Sequence, residues 1–518
     1  MSKASLVAAG ILASRLAGLV RLRVFAHFFG LESPEADAFN AAFRIPNFLQ
    51  NMFGEGALSG SFIPIYAGLL ARGDRREADR VAGAVGALLA LVVAIVVLVG
   101  VWATPALVAL VTPGFSGETR ALTIALVRVL FPGAGALVLS AWCLGVLNSH
   151  GRFLLSYTAP VVWNAAMIAT LAAFGPSAEL PRLAVLLAWG SVAGSALQFA
   201  VQLPAVLRVA PDLSLAVGFA SPDVRAVVSN FVPVFISRGV VQVSAYIDTL
   251  LASLLPTGAV TGLANAQLLY TLPVSLFGMS VTAAELPGMS GDVAVDPRGF
   301  ATLRTRLDAG LRQIAFFVVP SAAAFLALGD VIAAALFQTG RFRHEDAVYV
   351  WGIVAGSAVG LLASTFGRLY SATFFALRDT RTPLRYALVR VALTSVLGYV
   401  SAIQLPGWLG VPTSWGAAGL TASAGLAGWV EFLMLRRTLN ARIGRTGVAP
   451  RYLMLLWSSA CAGAGAAWAC KLGAPSLHPV LAAVAILGPF GLVYLGATAL
   501  LGVPEASDVL ARLGRTRR

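Results

Sequence analysis

The sequence predicts an all-α polytopic membrane protein of about fourteen transmembrane helices: two parallel six-helix lobes around a central cavity, then two extra C-terminal helices. Three observations predict it. Of 518 residues, 58% are hydrophobic and only 12% charged, against roughly 25% charged in a soluble domain, and mean hydropathy is +0.83. Ala84 to Val111 runs 28 residues without an ionisable side chain, longer than the roughly 20 needed to cross a bilayer core. The basic residues are dealt out between such runs in alternation.

Apolar windows bounded by charge, Pro and Gly place the spans near 4–29, 36–70, 82–111, 121–148, 153–175, 184–207, 226–254, 260–290, 308–338, 347–376, 384–403, 413–435, 452–472 and 479–501. This divides the chain into an N-terminal lobe (1–210), a C-terminal lobe (223–440), two extra helices (451–503) and a basic cytoplasmic tail (504–518). The even-numbered loops and both ends hold twenty-three Lys and Arg, including those of "RGDRREADR" and "RRTLNARIGRTGVAPR". The odd-numbered loops hold only Arg120, Arg182, Arg341 and Arg343. By the positive-inside rule both termini face the cytoplasm. No cleaved leader is expected, because Arg15 falls where a signal peptide would be apolar.

An internal repeat supports the two lobes. "SRLAG" at Ser14–Arg15 is echoed by "SRGVV" at Ser237–Arg238. The second span reads "FRIPNFLQNMFGEGALSGSFIP" and the eighth "YTLPVSLFGMSVTAAELPGMSG", each with Pro, then Phe-Gly, then Pro. Six spans separate the copies, so they share orientation. Parallel repeats are a transporter signature, with the substrate path at their interface.

Charges within spans point to that path. At 1.5 Å per residue Arg21 lies about 9 Å beyond Arg15, and Arg23 about 12 Å. A central Arg costs at least ~2.5–3.5 kcal/mol, so it normally faces a bundle interior or a watery cavity. Arg15 and Arg21 share a side only if the helix bends near Gly18, while Arg23 snorkels outward. Asp37, Arg44 and Glu55 extend the polar set. Pro46 removes a backbone donor, and Gly54 and Gly56 loosen the helix around Glu55, as a hinge or as close-packing points. Arg238, Asp248, Glu285, Arg368 and Asp379 continue the set in the second repeat. Basic residues at this depth suit an anion, because guanidinium forks match phosphate bidentately.

Other classes fit poorly. The charge of +14 is spread between spans rather than gathered in a patch for nucleic acid. The four His are scattered, and no HExxH, P-loop or nucleophile elbow is present. Cys143, Cys461 and Cys470 lie in apolar segments without metal or disulfide spacing. A drug/cation antiporter would want an acidic cavity, and a scaffold has no reason to bury central arginines.

The stretch "SRLAGLVRLRVFAHFFG…ADAFNAAFRIPNFLQNMFGEGALSGSFIPIYA", with "LFQTGRF" (Leu336–Phe342) and "FFALRDTRTPLRYA" (Phe374–Ala387), resembles the MurJ (MviN) family of lipid II flippases. The resemblance implies the multidrug/oligosaccharidyl-lipid/polysaccharide exporter fold, two lobes around a V-shaped cavity. It implies a transporter of the bacterial inner membrane, not an enzyme, that moves lipid II in peptidoglycan synthesis. Another undecaprenyl-diphosphate-linked saccharide is the alternative cargo. The implied partners are that precursor lipid, the bilayer and other cell-wall synthesis proteins. The resemblance puts Arg15 and Arg21 at the family's cavity arginines and Asp37 and Glu55 at its acidic positions on the second span. With the intramembrane charges and helix breakers read above, Arg15, Arg21, Arg44, Arg238 and Arg368 would bind the diphosphate, and Asp37, Glu55, Pro46, Gly54 and Gly56 would form a gating network. The sequence departs from the family at Leu22 and Gln50 in the first lobe and at Gln267, Leu268 and Thr271 on the eighth span, the last three of which predict fewer charges on the second lobe. No cofactor is implied. Coupling to Na⁺ or to membrane potential would draw on Asp248, Asp379, Thr394 and Ser395, while Asp379 equally suits capping the turn in "RDTRTP".

Overall fold

The computed structural model describes residues 3–215, 221–295, 300–473 and 477–515. Among them there is no strand, only helices. In lipid a backbone must satisfy its own hydrogen bonds, and a helix does so within one segment. Ten helices are long and apolar enough to cross a bilayer, eleven if the bent pair His344–Ala358 and Leu361–Ala376 is one span. The three expected spans outside that count are helical but carry charges or a break.

The chain packs as two compact units, Met1–Val260 with Thr339–Phe342, and Thr261–Gln338 with Arg343–Arg518. Unit 1 contains α1 (Lys3–Phe29), α2 (Pro34–Phe53), α3 (Glu55–Ser61), α4 (Ile63–Ala71), α5 (Arg75–Val111), α6 (Gly117–Ser149), α7 (Phe153–Phe174), α8 (Leu180–Val209) and α9 (Pro222–Ser253). α6 packs on α8 and α2, and α7 on α1 and α8. Phe25, Phe29 and Phe39 stack within its core.

The unit boundary does not follow the expected lobe boundary at 210–223. α9 packs on α2, α3 and α5, and Phe231 and Phe235 lie against Phe53 at ring-centroid distances of 5.6 and 5.2 Å. Compactness follows these aromatic contacts, whereas the repeat boundary is a feature of sequence. The "LFQTGRF" motif also lends residues to unit 1. Arg341 N–H donates to the His27 carbonyl at 2.9 Å, and Thr339 Oγ1 lies 2.9 Å from His27 Nδ1. Gly340, at φ +56° and pressed on His27, leaves no room for a side chain.

Unit 2 contains α10 (Ala259–Pro273, which starts at the boundary), α11 (Ser280–Val295), α12 (Ala301–Phe337), α13 (His344–Ala358), α14 (Leu361–Ala376), α15 (Arg381–Tyr399), α16 (Leu405–Leu409), α17 (Gly416–Ile443), α18 (Pro450–Gly473), α19 (Pro479–Leu500) and α20 (Pro504–Arg515). α18 and α19 pack on each other and on α12. Tyr494 Oη donates to the Phe316 carbonyl at 2.6 Å. α20 is tied back by Glu505 to Arg312 at 3.1 Å.

Both Phe-Gly pairs of the repeat mark irregular backbone. Phe53–Gly54 ends α2, and Phe277–Gly278 lies in a π-helical segment, Val274–Met279. Pro46 removes its backbone donor without ending the helix: α2 continues to Phe53. At Gly54, with ψ −158°, the chain turns, and its carbonyl accepts from Ala57 and Leu58 N–H at 3.0 and 3.2 Å. A Cβ there would run into the Gln50 carbonyl oxygen.

Candidate functional site

In unit 1, α1 runs unbroken through Gly18, and Arg15 is exposed while Arg21 turns into a contact with α2 and α7. The Arg21 guanidinium sits 5.1 Å from the Trp163 ring centre and 5.7 Å from that of Phe43. One of its nitrogens reaches Met167 Sδ at 3.8 Å. Cation–π contacts of this kind contribute roughly 0.5–2 kcal/mol each. No ion pair among the described residues uses Arg21, and its buried Nε has no hydrogen-bond partner. The buried Oδ1 of Asn164, facing Gly18 across the same helix contact, is equally unmatched. The rings hold the charge in place without neutralising it.

Arg44, half-buried on α2, interacts electrostatically with Asp248 on α9, and its carbonyl accepts from Tyr246 Oη at 3.0 Å. Asp37 has a more structural place. It is buried in the first turn of α2, where acidic groups suit the helix dipole, and its Oδ2 accepts Gly258 N–H at 2.7 Å. The side chains of Glu55 and Arg238 lie outside the described residues; Gly56 lies inside α3.

Unit 2 collects a polar group that the sequence reading missed. Arg390 on α15 and Glu431 on α17 form an ion pair at 3.3 Å. Tyr270 Oη and Ser364 Oγ lie 2.6 Å apart, and Arg368, exposed on α14, acts electrostatically on both Tyr270 and Glu431. Glu431 is the one carboxylate in α17, which was the available signal. The substitutions at Gln267, Leu268 and Thr271 therefore do not leave unit 2 without charge. Glu285 belongs elsewhere: it pairs with Arg306 at 3.3 Å, which also binds Asp292 at 2.7 Å.

Asp379 does not join Thr394 as the expected cation set would need. Asp379 precedes α15 and Thr394 lies fifteen residues on, about 22 Å along a continuous helix, so the two cannot ligate one ion. Ser395 Oγ donates to the Val391 carbonyl at 2.8 Å. Asp379 caps the turn instead. Its Oδ1 accepts Arg381 and Thr382 N–H at 3.1 and 3.0 Å, its Oδ2 accepts Thr382 Oγ1–H at 2.7 Å, and Arg442 pairs with it at 2.7 Å. These donors, the Thr382 amide first, hold its pKa down at about 2. Among the described residues no group of three or more His, Cys, Asp or Glu could hold a metal.

Long apolar helices in two units, with arginine held inside one of them free of a carboxylate, define a multi-pass membrane transporter. The family described as "Lipid II flippase MurJ" matches residues 25–479. The lipid II flippase MurJ of Burkholderia cenocepacia is 32% identical over 440 residues, 83% of this chain and 82% of that protein. The probable lipid II flippase MurJ of Rhizobium meliloti is 31% identical over 452 residues, 85% and 80% of the two chains. A solved structure, "Lipid II flippase MurJ, inward closed conformation", superposes with a TM-score of 0.78 at 22% identity, covering 96% of this chain and 98% of that one. An inward-facing multidrug resistance MATE family transporter superposes at 0.64 and 18% identity, covering 83% and 94%. This chain belongs to the MurJ lipid II flippase family.

Proposed function

We propose that this chain moves lipid II from the cytoplasmic to the outer leaflet of the bacterial inner membrane by alternating access. The observation that carries the reading is Arg21, ring-held at depth in α1 with an Nε that has no hydrogen-bond partner. Diphosphate is the part of a lipid-linked sugar that such a group recognises. Arg15, Arg44, Arg238 and Arg368 are its proposed companions. Its relatives' names supply the cargo, lipid II, and the flippase activity.

The reading takes α1, the α2–α4 segment and α9 as spans beside the eleven apolar ones, fourteen in all. It places both termini in the cytoplasm, supported by the loop asymmetry of basic residues. The test is replacement of the resident flippase in a depletable bacterium. Growth and normal lipid II turnover are expected. Membrane-inserted protein that leaves lipid II accumulating in the inner leaflet overturns the proposal.

A further inference from the structure

On the face of unit 1 where α4, α6 and α8 end and α5 and α7 begin lies a cavity of about 660 Å³. That is within the range of small-molecule sites. Arg75, Arg152 and Arg208 contribute to its wall, and no carboxylate does. No ion pair among the described residues uses any of the three. Arg80, Arg306, Arg312 and Arg442 are matched to carboxylates. Arg72, Arg76 and Arg120 are in no ion pair among the described residues either, so what sets Arg75, Arg152 and Arg208 apart is the cavity they share.

Helix polarity makes the cluster harder to explain as local structure. Arg208 in the last turn of α8 suits the negative end of that helix. Arg75 is the first residue of α5 and Arg152 caps the start of α7, where the helix end is already positive. All three arginines are exposed. Asp74 caps the start of α5 and the Asp79 carboxylate acts electrostatically on Arg75 and His150, so an entering anion would add to a partly balanced field, chiefly at Arg152 and Arg208. The same helix starts then add backbone donors for it.

Two further groups narrow the ligand. Asn148 lines the cavity, and its Oδ1 has no hydrogen-bond partner but is shielded, so a ligand hydroxyl would meet it only once the amide turns away from Tyr157 Oη. His150 has Tyr66 Oη at 2.8 Å from Nε2, and burial holds its pKa below the usual histidine value. The ring is therefore a neutral hydrogen-bonding wall at neutral pH rather than a fourth charge. Leu154 and Leu207, each about half exposed, are the chain neighbours of the lining residues Phe153 and Arg208.

We propose that this cavity binds a phosphate ester carrying a free hydroxyl, of the glycerol phosphate kind, at a site separate from the arginines assigned to the transported lipid. The ester comes from a lipid headgroup or from solution, and two arms distinguish these. The full-length protein is placed in nanodiscs of phosphatidylcholine alone, or of phosphatidylcholine and phosphatidylglycerol in equal parts. Native mass spectrometry counts retained phosphatidylglycerol in the second. In the first, glycerol 3-phosphate and inorganic phosphate are titrated against melting temperature.

Retention of phosphatidylglycerol, lost in the R75Q/R152Q/R208Q variant, supports the lipid source. A melting shift with glycerol 3-phosphate, with affinity about tenfold or more weaker in that variant, supports the soluble one. Asn148→Leu should narrow the preference for glycerol 3-phosphate over inorganic phosphate. If the triple variant does not fold, Arg152→Gln, on an exposed side chain, is read in the same arms. Equal behaviour of wild type and folded variants in both arms overturns the proposal.

Discussion

Arg21 in unit 1 and Arg390 in unit 2 both sit inside apolar helices, and they are held in opposite ways. Arg390 faces Glu431 at 3.3 Å, so its charge is matched within the protein. Arg21 rests on the rings of Trp163 and Phe43, with Met167 Sδ as a weak acceptor. A carboxylate neutralises a cation and occupies its donors, whereas a ring face stabilises the charge without neutralising it. The difference teaches that an arginine inside a membrane helix is not by itself a ligand site. What decides is whether the fold has already given it an anion.

The largest expected effect breaks the unmatched side. Arg21→Ala should slow translocation of a fluorescent lipid II analogue in vesicles about tenfold or more, the scale of one lost charge-assisted contact. Expression should hold, because no carboxylate is left behind. Arg21→Lys should recover little, since an ammonium lacks the planar fork that stacks on Trp163. Full activity of the Ala variant would remove Arg21 from the site.

The matched side should fail in stability instead. Glu431→Gln leaves Arg390 facing a neutral amide and should lower the melting temperature, with a cost on the order of 1–3 kcal/mol for a part-exposed pair. Adding Arg390→Gln should restore most of it. If the double variant is no more stable than the single one, the pair is not what Glu431 serves.

Gly54→Ala tests the break between the two helices of the second span. Its added Cβ meets the Gln50 carbonyl, so the turn must open, and local strain of about 1–3 kcal/mol is expected. A hinge role predicts slowed translocation at near-normal melting temperature, while a packing role predicts a lower melting temperature with full activity. The collision favours some of both, with the melting change as the smaller part of the response.

The smallest effect belongs to the turn before α15. Asp379→Asn should cost about 1 kcal/mol, the usual worth of a capping carboxylate. The sign is that of a depressed acid. With its folded pKa at about 2, the contribution is complete above the ordinary carboxylate value near 3.9. It is lost as pH falls from there toward 2. The melting difference between wild type and the Asn variant should therefore be constant from neutral pH to about 5 and shrink below 4. An unchanged difference at low pH would show that the carboxylate's charge is not what caps the turn.

Much of the fold was legible because burial in lipid is a local property of the chain. Twenty apolar residues demand a helix wherever they occur, so the positions of α5, α6, α8 and α12 follow from composition alone. Backbone irregularity was half legible. The Phe-Gly pairs marked real breaks, but Pro46 did not, because a ring inside a helix kinks it only if the neighbouring packing lets it. At the site, Arg21 was readable from its depth and the family motif. Glu431 was readable only in retrospect, as the lone acid of α17, and Arg390 gained meaning only once Glu431 stood opposite.

What the sequence by itself determined is the helical class, the approximate span positions, the loop charge asymmetry and the family. Each depends on residues close together along the chain. Only the tertiary structure decided that α9 joins the first unit, that Asp379 caps a turn too far from Thr394 to share an ion with it, and that Arg390 meets a carboxylate while Arg21 meets aromatic rings. Those outcomes depend on which side chains from distant segments meet, and neither hydropathy nor spacing carries that information, because contact across helices is set by packing.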